Sequence, residues 1–362
     1  MNFDFSEDVT LMREEVRRIL RDSFPRGSVR QAVDAGAPFD RAFWRSIGEM
    51  GWLGVAIPER LGGSGLGYEA LCMIAEEIGG GVAPVPFASS IQQAAEAILL
   101  FGSDAQRERW LPGLASGETI GCFALAEGTG DPREDALATS FANGLTGTKL
   151  PVIDGDIADL CIVATRDGLW VVELDQPGVK REPLEALDLV RHSVRLTLDS
   201  ATAERLDGAK GWHDVQRLLD RTAILTAFEQ VGGAQAALDM AVAFAKERYA
   251  FGRSIASFQA IKHKLADIYV ALELARSNAW YGAWALENDA PELPVAAAAA
   301  RLAAIDAFSL AAKENIQTHG GMGFTWESDC HLYYRRAREL ALVMGSTRYW
   351  RDRLIDRLDE AA

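Results

Sequence analysis

The sequence predicts an α+β chain in which two helical zones flank a β zone. Apolar residues recur at three- and four-residue spacing near the amino terminus (Val9, Met12, Val16, Leu20) and again at Phe258, Ile261, Leu265, Ile268 and Leu272. That is the stripe of a helix buried along one face. Between them lie the short runs TIGCFAL, LCIVAT, LWVVEL and VRLTL, rich in β-branched and apolar residues and separated by the turn clusters DGD, RDG and DQPG. At 362 residues the chain is too long for one hydrophobic core. The zones therefore read as domains: helical over 1–118, a small antiparallel barrel or sandwich over 119–208, and a helical bundle over 209–362.

In the first zone Ser6 is placed to cap a helix whose first turn carries Glu7 and Asp8, acids favourable to the helix dipole. A second helix starts after Asp40, with Phe43 and Ile47 inward. The loop PERLGGSGLG (58–67) has the glycine content of a dinucleotide-binding turn. Tyr68 stands where the last glycine is needed, and no strand–loop–helix frame surrounds the loop, so it reads as a turn between helices. The run REPLEALD (181–188) reads as a solvated loop, Ala296–Ala300 as a strong helix former, and Trp326 and Trp350 as packing residues.

Lys and Arg total 37 against 52 Asp and Glu, a formal net charge of -15. Such a surface argues against general nucleic-acid binding but leaves room for a local basic pocket around one small phosphate ligand. Cys72, Cys122, Cys161 and Cys330 lie far apart in sequence, without zinc-ligand or redox-pair spacing, and fit a reducing compartment. His192, His213, His263, His319 and His331 have no metal-ligand spacing, so no metal is expected. The opening MNFDFSEDVT lacks a signal-peptide pattern. The most apolar stretch, 295–312, is interrupted by Arg301 and Asp306 and reads as too short and too polar to span a membrane. A cytoplasmic protein is expected.

Two stretches are more specific: KERYAFGRSIASFQAIKHKLADI (246–268) and IQTHGGMGFTWESDCHLYYRRAREL (316–340). In order, they resemble the acyl-CoA dehydrogenase family, with its Arg-x-x-Phe-Gly turn followed by Gln-x-x-Gly-Gly-x-Gly. The α–β–α zoning is similar across the whole chain. The resemblance implies a helical amino-terminal domain, a middle β-barrel and a carboxy-terminal four-helix bundle. It also implies FAD shared between one subunit and its neighbour, and an acyl-CoA substrate that loses its α-proton to a carboxylate and its β-hydride to the flavin, giving a 2-enoyl-CoA. Electron-transfer flavoprotein is the acceptor so implied. Arg248, Phe251, Gly252, Gln259, Gln317, Gly320 and Gly321 match the positions that touch the ADP half of the neighbour's FAD. A guanidinium fork suits a pyrophosphate, and glycine lets backbone approach closely.

The sequence departs from the family at the reacting end. Counting without gaps from Arg335, the base position of the family's Glu-Gly-Thr triplet holds Met344, followed by Gly345 and Ser346. A thioether takes no proton at neutral pH. The alternative base position holds Thr222, followed by Ala223. The flavin-binding loop reads Ala126-Glu127-Gly128-Thr129-Gly130-Asp131-Pro132, and the family's Trp-x-Thr pair aligns with Pro151 and Ile153. This asymmetry resembles the smaller, degenerate subunit of bacterial hetero-oligomeric acyl-CoA dehydrogenases, which act on bulky or dicarboxylic thioesters, steroid side chains included. It implies a homologous partner subunit that supplies the base, in a dimer or α2β2 tetramer. An autonomous enzyme is the alternative, with Glu229, two helical turns after Thr222, as a relocated base. Asp220 and Glu127 are weaker candidates for that role. A scaffold without flavin is the other alternative.

Overall fold

The computed structural model describes residues 7–24, 27–36 and 39–361. The Ser6 cap and the side chains of Glu7 and Asp8 lie outside the described residues. The amino-terminal helices are α1 (Glu7–Ser23), α2 (Ser28–Asp34), α3 (Arg41–Glu49), α4 (Gly67–Gly81), α5 (Glu96–Phe101) and α6 (Asp104–Ser116). Val16 and Leu20 of α1 are buried, and Val9 and Met12 pack half-buried on the same core. Asp40 caps α3, its carboxylate accepting from the backbone of Ala42 and Phe43 at 2.9 and 3.0 Å, and Phe43 and Ile47 face inward. The glycine loop 58–67 is a 3-10 turn leading into α4, with no strand before it.

Just before α5 the chain forms a π-helical segment, Ala88–Ala95, buried throughout. Inserted turns of this kind recur at functional sites.

The middle zone holds β1 (Gly121–Ala124), β2 (Ser140–Phe141), β3 (Leu145–Ile153), β4 (Leu160–Thr165), β5 (Gly168–Glu173), β6 (Val179–Leu184), β7 (Ser193–Ala201) and β8 (Glu204–Arg205). The barrel expectation needs correcting: these strands form two separate four-stranded sheets, β1-β4-β5-β8 and β2-β3-β7-β6. Closure is unnecessary because the β1 edge is covered by helix instead of strand. Ser90 in the π-helical segment accepts from the Gly121 N–H at 3.0 Å.

The carboxy-terminal zone runs α7 (Trp212–Glu247), the hairpin β9 (Tyr249–Ala250) and β10 (Arg253–Ser254), α8 (Gln259–Glu287), α9 (Leu293–His319), α10 (Cys330–Leu340) and α11 (Thr347–Ala361). α9 and the turn after it, Leu293–Phe324, have the length and hydropathy of a membrane crossing. It is nonetheless the central helix of the bundle, packed against α7, α8, α10 and α11. α7 also lies against α4 at backbone distance. A Cβ on Gly232 would fall 1.8 Å from the Glu76 carbonyl oxygen, and one on Gly79 would fall 2.1 Å from that of Glu229. Only glycine permits that approach.

The solvated-loop reading of 181–188 is also corrected. Arg181–Leu184 belong to β6, and Asp188 is buried against Arg336. A charge run looks solvated until partners 148 residues away neutralise it.

Candidate functional site

The ends of α7 and α9 and the start of α8 meet at one end of the bundle. Phe244 of α7 stacks on His319 of α9 with ring centroids 4.1 Å apart, and Lys264 of α8 pairs with Glu314 of α9 at 2.7 Å. Seven residues singled out from the sequence lie on this end. Arg248 terminates α7, Phe251 and Gly252 form the hairpin turn, Gln259 opens α8, and Gln317, Gly320 and Gly321 close α9.

The side chains of Arg248, Gln259 and Gln317 are exposed and make no hydrogen bond or ion pair among the described residues. A Cβ on Gly252, Gly320 or Gly321 would meet nothing within 4 Å, so their backbone is open to an approaching group. Phe251 sits at φ 55 with 96% of its surface exposed. Positive φ is costly for an aromatic residue, and the exposed ring has in return an edge-on contact with Phe258, centroids 6.4 Å apart. Lys246, Arg253 and Lys262 add positive charge to this end of an acidic chain. Donor side chains, open glycine backbone and cations fit the diphosphate half of a dinucleotide cofactor.

The reacting end is built differently. Met344 and Thr222, the two positions read from the sequence against the family's base, touch each other: the Thr222 hydroxyl donates to Met344 Sδ at 3.0 Å. The Gln93 amide reaches the same sulfur at 3.9 Å. Thr222 is 0% and Met344 7% exposed, so both side chains are packed inside the protein. Met344 has φ 61, another strained non-glycine turn. Asp131 of the 126–132 loop accepts from the Ser346 N–H at 2.7 Å, which ties that loop to the segment after Met344. Pro151 is exposed at the end of β3, and no aromatic wall or hydroxyl stands at it or at Ile153. The residues present therefore fit the nucleotide tail of FAD and do not fit its reactive ring.

Glu229 is not free to act as a base. Its Oε1 accepts from Arg191 at 2.7 Å and from Arg336 at 3.0 Å, deep in the protein. Burial alone would raise its proton affinity, but the two guanidinium groups win and hold it below the ordinary carboxylate range. Asp220 is also engaged, accepting from Arg353. Glu127 is structural: it accepts from the backbone of Ala138 and Thr139 and pairs at 2.7 Å with the buried Lys149. Among the described residues, no cluster of His, Cys, Asp and Glu could hold a metal.

Sequence reasoning missed Gln93, the buried arginines and the contact that Asp131 of the 126–132 loop makes with Ser346. Gln93 and Asp131 lie 251 and 215 residues from their partners, and no local pattern marks such pairs.

Comparison with known proteins matches this architecture. Residues 6–118 match the family model described as acyl-CoA dehydrogenase, N-terminal domain, and residues 209–358 match acyl-CoA dehydrogenase, C-terminal domain. The chain is 34% identical over 347 residues to acyl-CoA dehydrogenase IpdE2 of Mycobacterium tuberculosis, covering 94% of each. It is also 34% identical to human mitochondrial short-chain specific acyl-CoA dehydrogenase, covering 87% of this chain and 82% of that one. Among solved structures, it superposes on the ChsE4-ChsE5 complex from Mycobacterium tuberculosis with a TM-score of 0.90 at 26% identity, covering 99% of each chain. The Tcur3481-Tcur3483 steroid acyl-CoA dehydrogenase variant gives 0.88 at 32% identity, covering 98% of each. The chain belongs to the acyl-CoA dehydrogenase family.

Proposed function

We propose that this chain is one subunit of a hetero-oligomeric acyl-CoA dehydrogenase, an enzyme that converts an acyl-CoA thioester to its 2-enoyl-CoA. Its bundle end grips the nucleotide half of an FAD held mainly by a homologous partner, and the partner supplies the base. The observation that carries this reading is the contrast between the two ends. One presents Arg248, Gln259 and Gln317 exposed and without partners among the described residues, around open glycine backbone; the other is filled by Met344 against Thr222.

Arg248 binds the pyrophosphate by its guanidinium fork, Gln259 and Gln317 donate to the nucleotide, and Gly252, Gly320 and Gly321 admit it closely. Phe251 is covered when the partner docks. When bound, FAD accepts the hydride from the substrate β-carbon. Met344, Thr222 and Gln93 exclude water and substrate from this chain's own cleft and take no proton.

The first half of α8 supports a partner on the same face. Its seam is buried at Ile268 and Leu272 but only half-buried at Phe258, Ile261 and Leu265. Two relatives with similar folds are named as pairs, ChsE4-ChsE5 and Tcur3481-Tcur3483, and the second is named a steroid enzyme. A bulky acyl group, such as a steroid side-chain thioester, is the substrate class that follows. Electron-transfer flavoprotein is the acceptor proposed, and the cytoplasm, in keeping with four buried free cysteines, is the compartment.

The test is purification of the chain alone and together with a homologous acyl-CoA dehydrogenase subunit encoded beside it. Flavin content and acyl-CoA-dependent dye reduction are measured in both. Flavin and turnover that appear only in the pair support the reading.

A further inference from the structure

The segment 185–192, between β6 and β7, is one joint between the middle domain and the helices. Val190 packs with Val29, Val82 and Leu332, and the Leu187 carbonyl accepts from Arg335 at 2.9 Å. Beneath this seam the joint is ionic. Arg336 of α10 donates to Asp188 of the joint and to Glu229 of α7, and Arg191 of the joint donates to Glu229. Glu339, one turn after Arg336, stands 4.0 Å from Arg191. Asp154, in the turn after β3, is buried beside these groups and accepts from Ser89 at 2.6 Å.

The charges do not balance. Four carboxyls, Asp154, Asp188, Glu229 and Glu339, face Arg191 and Arg336. Another buried cation, Arg301 of α9, is directed at Gln230 and at the carbonyls of Leu340 and Val343. On the solvent side, His192 pairs with Asp156 at 2.7 Å. Three polar atoms in the cluster, Glu229 Oε2, Glu339 Oε1 and Arg336 Nη2, are buried without a hydrogen-bond partner among the described residues. A half-satisfied ionic network cannot hold surplus negative charge.

We propose that the joint between the middle domain and the bundle is closed by a proton held on Glu339, and that the joint loosens as this proton is lost. Burial and the neighbouring Asp188 push Glu339 up to about 8, so a proton there removes one of the two surplus charges, and burial also raises Asp154. In an opened joint Glu339 meets water and returns to the ordinary carboxylate range. Opening therefore releases a proton between about pH 5 and 8, and the opened fraction grows roughly tenfold per pH unit across that window. Above it the dependence flattens. The device is independent of the reaction assigned to the family and sets how firmly this joint holds the middle domain to the bundle.

The test is native-state hydrogen exchange, corrected for intrinsic rate, on the full chain and on Glu339→Gln. The reporters are the Val190 N–H, which donates to Asp188 at 2.9 Å, and the Asp154 N–H, which donates to the His192 carbonyl at 2.9 Å. Asp154 and His192 also titrate upward of their ordinary values and are present in both proteins, so the ratio reads Glu339 together with its interaction with Asp154. The wild-type to variant ratio of opening constants is expected to rise at least tenfold from pH 6 to pH 8. A constant ratio overturns the proposal. Asp188→Asn provides a second reading: removing the neighbouring charge should move the window to lower pH, and an unmoved window is equally fatal.

Discussion

Replacing Glu229 by Gln separates a structural carboxylate from a catalytic one. The carboxylate is buried, with Arg191 at 2.7 Å and Arg336 at 3.0 Å on one oxygen. Gln keeps the shape but removes the carboxylate that Arg191 and Arg336 share, leaving Arg336 with Asp188 and Arg191 with Glu339 at 4.0 Å. Breaking a buried pair from one side costs about 3–5 kcal/mol. At about 2 °C per kcal/mol for a unit this large, the melting temperature should fall by about 6–10 °C. The assay is thermal unfolding followed by circular dichroism. The folded carboxylate titrates below its ordinary value, so its contribution is present above about pH 4.5 and is lost as pH falls below that. The gap between wild type and variant should therefore narrow on acidification toward pH 4. Dye reduction by the assembled enzyme at a temperature where the variant is folded should stay within a few-fold of wild type. A loss of about 10² to 10⁴ in turnover at unchanged stability would be the signature of a general base and would refute the structural reading.

Three further predictions concern other parts of the chain. Lys149→Met should cost about 3–5 kcal/mol in denaturant unfolding, because Lys149 is 0% exposed, its ammonium donates to the carbonyls of Leu125 and Ala164, and its loss strands Glu127. Arg248→Ala and Gln317→Ala should leave the stability of the lone chain within about 0.5 kcal/mol, since neither side chain has a partner among the described residues, yet lower flavin retention in the co-purified pair. Phe251→Asn should leave the lone chain as stable or slightly more so, because Asn tolerates φ 55 better, while weakening association with the partner in analytical ultracentrifugation.

The helices and strands were legible where the pattern is local. The stripe from Val9 to Leu20, the Asp40 cap and the four runs now seen as β1, β4, β5 and β7 all follow from spacing and composition. The glycine-marked turns of the α7–α8 and α9 ends were legible for the same reason. The α2 helix, seven residues without a side-chain cap, left no such signal. The π-helical turn at Ala88–Ala95 is invisible because its polar Ser89, Ser90, Gln92 and Gln93 look like a surface segment, though all four are buried. Asp188 misleads in the same way: REPLEALD resembles a solvated loop until Arg336 is brought from α10. The contact between Met344 and Thr222 joins residues 122 apart, so the sequence could name each as a base position but not show that they meet.

The central claim is an asymmetry of ends, and flavin stoichiometry tests it most directly. The chain purified alone should carry little FAD and show no acyl-CoA-dependent dye reduction. Co-purified with its homologous partner, it should bring the complex to stable yellow colour and turnover, with Arg248→Ala in this chain lowering the bound flavin. A lone chain that holds one FAD per subunit and turns over at the rate of the pair would contradict the account.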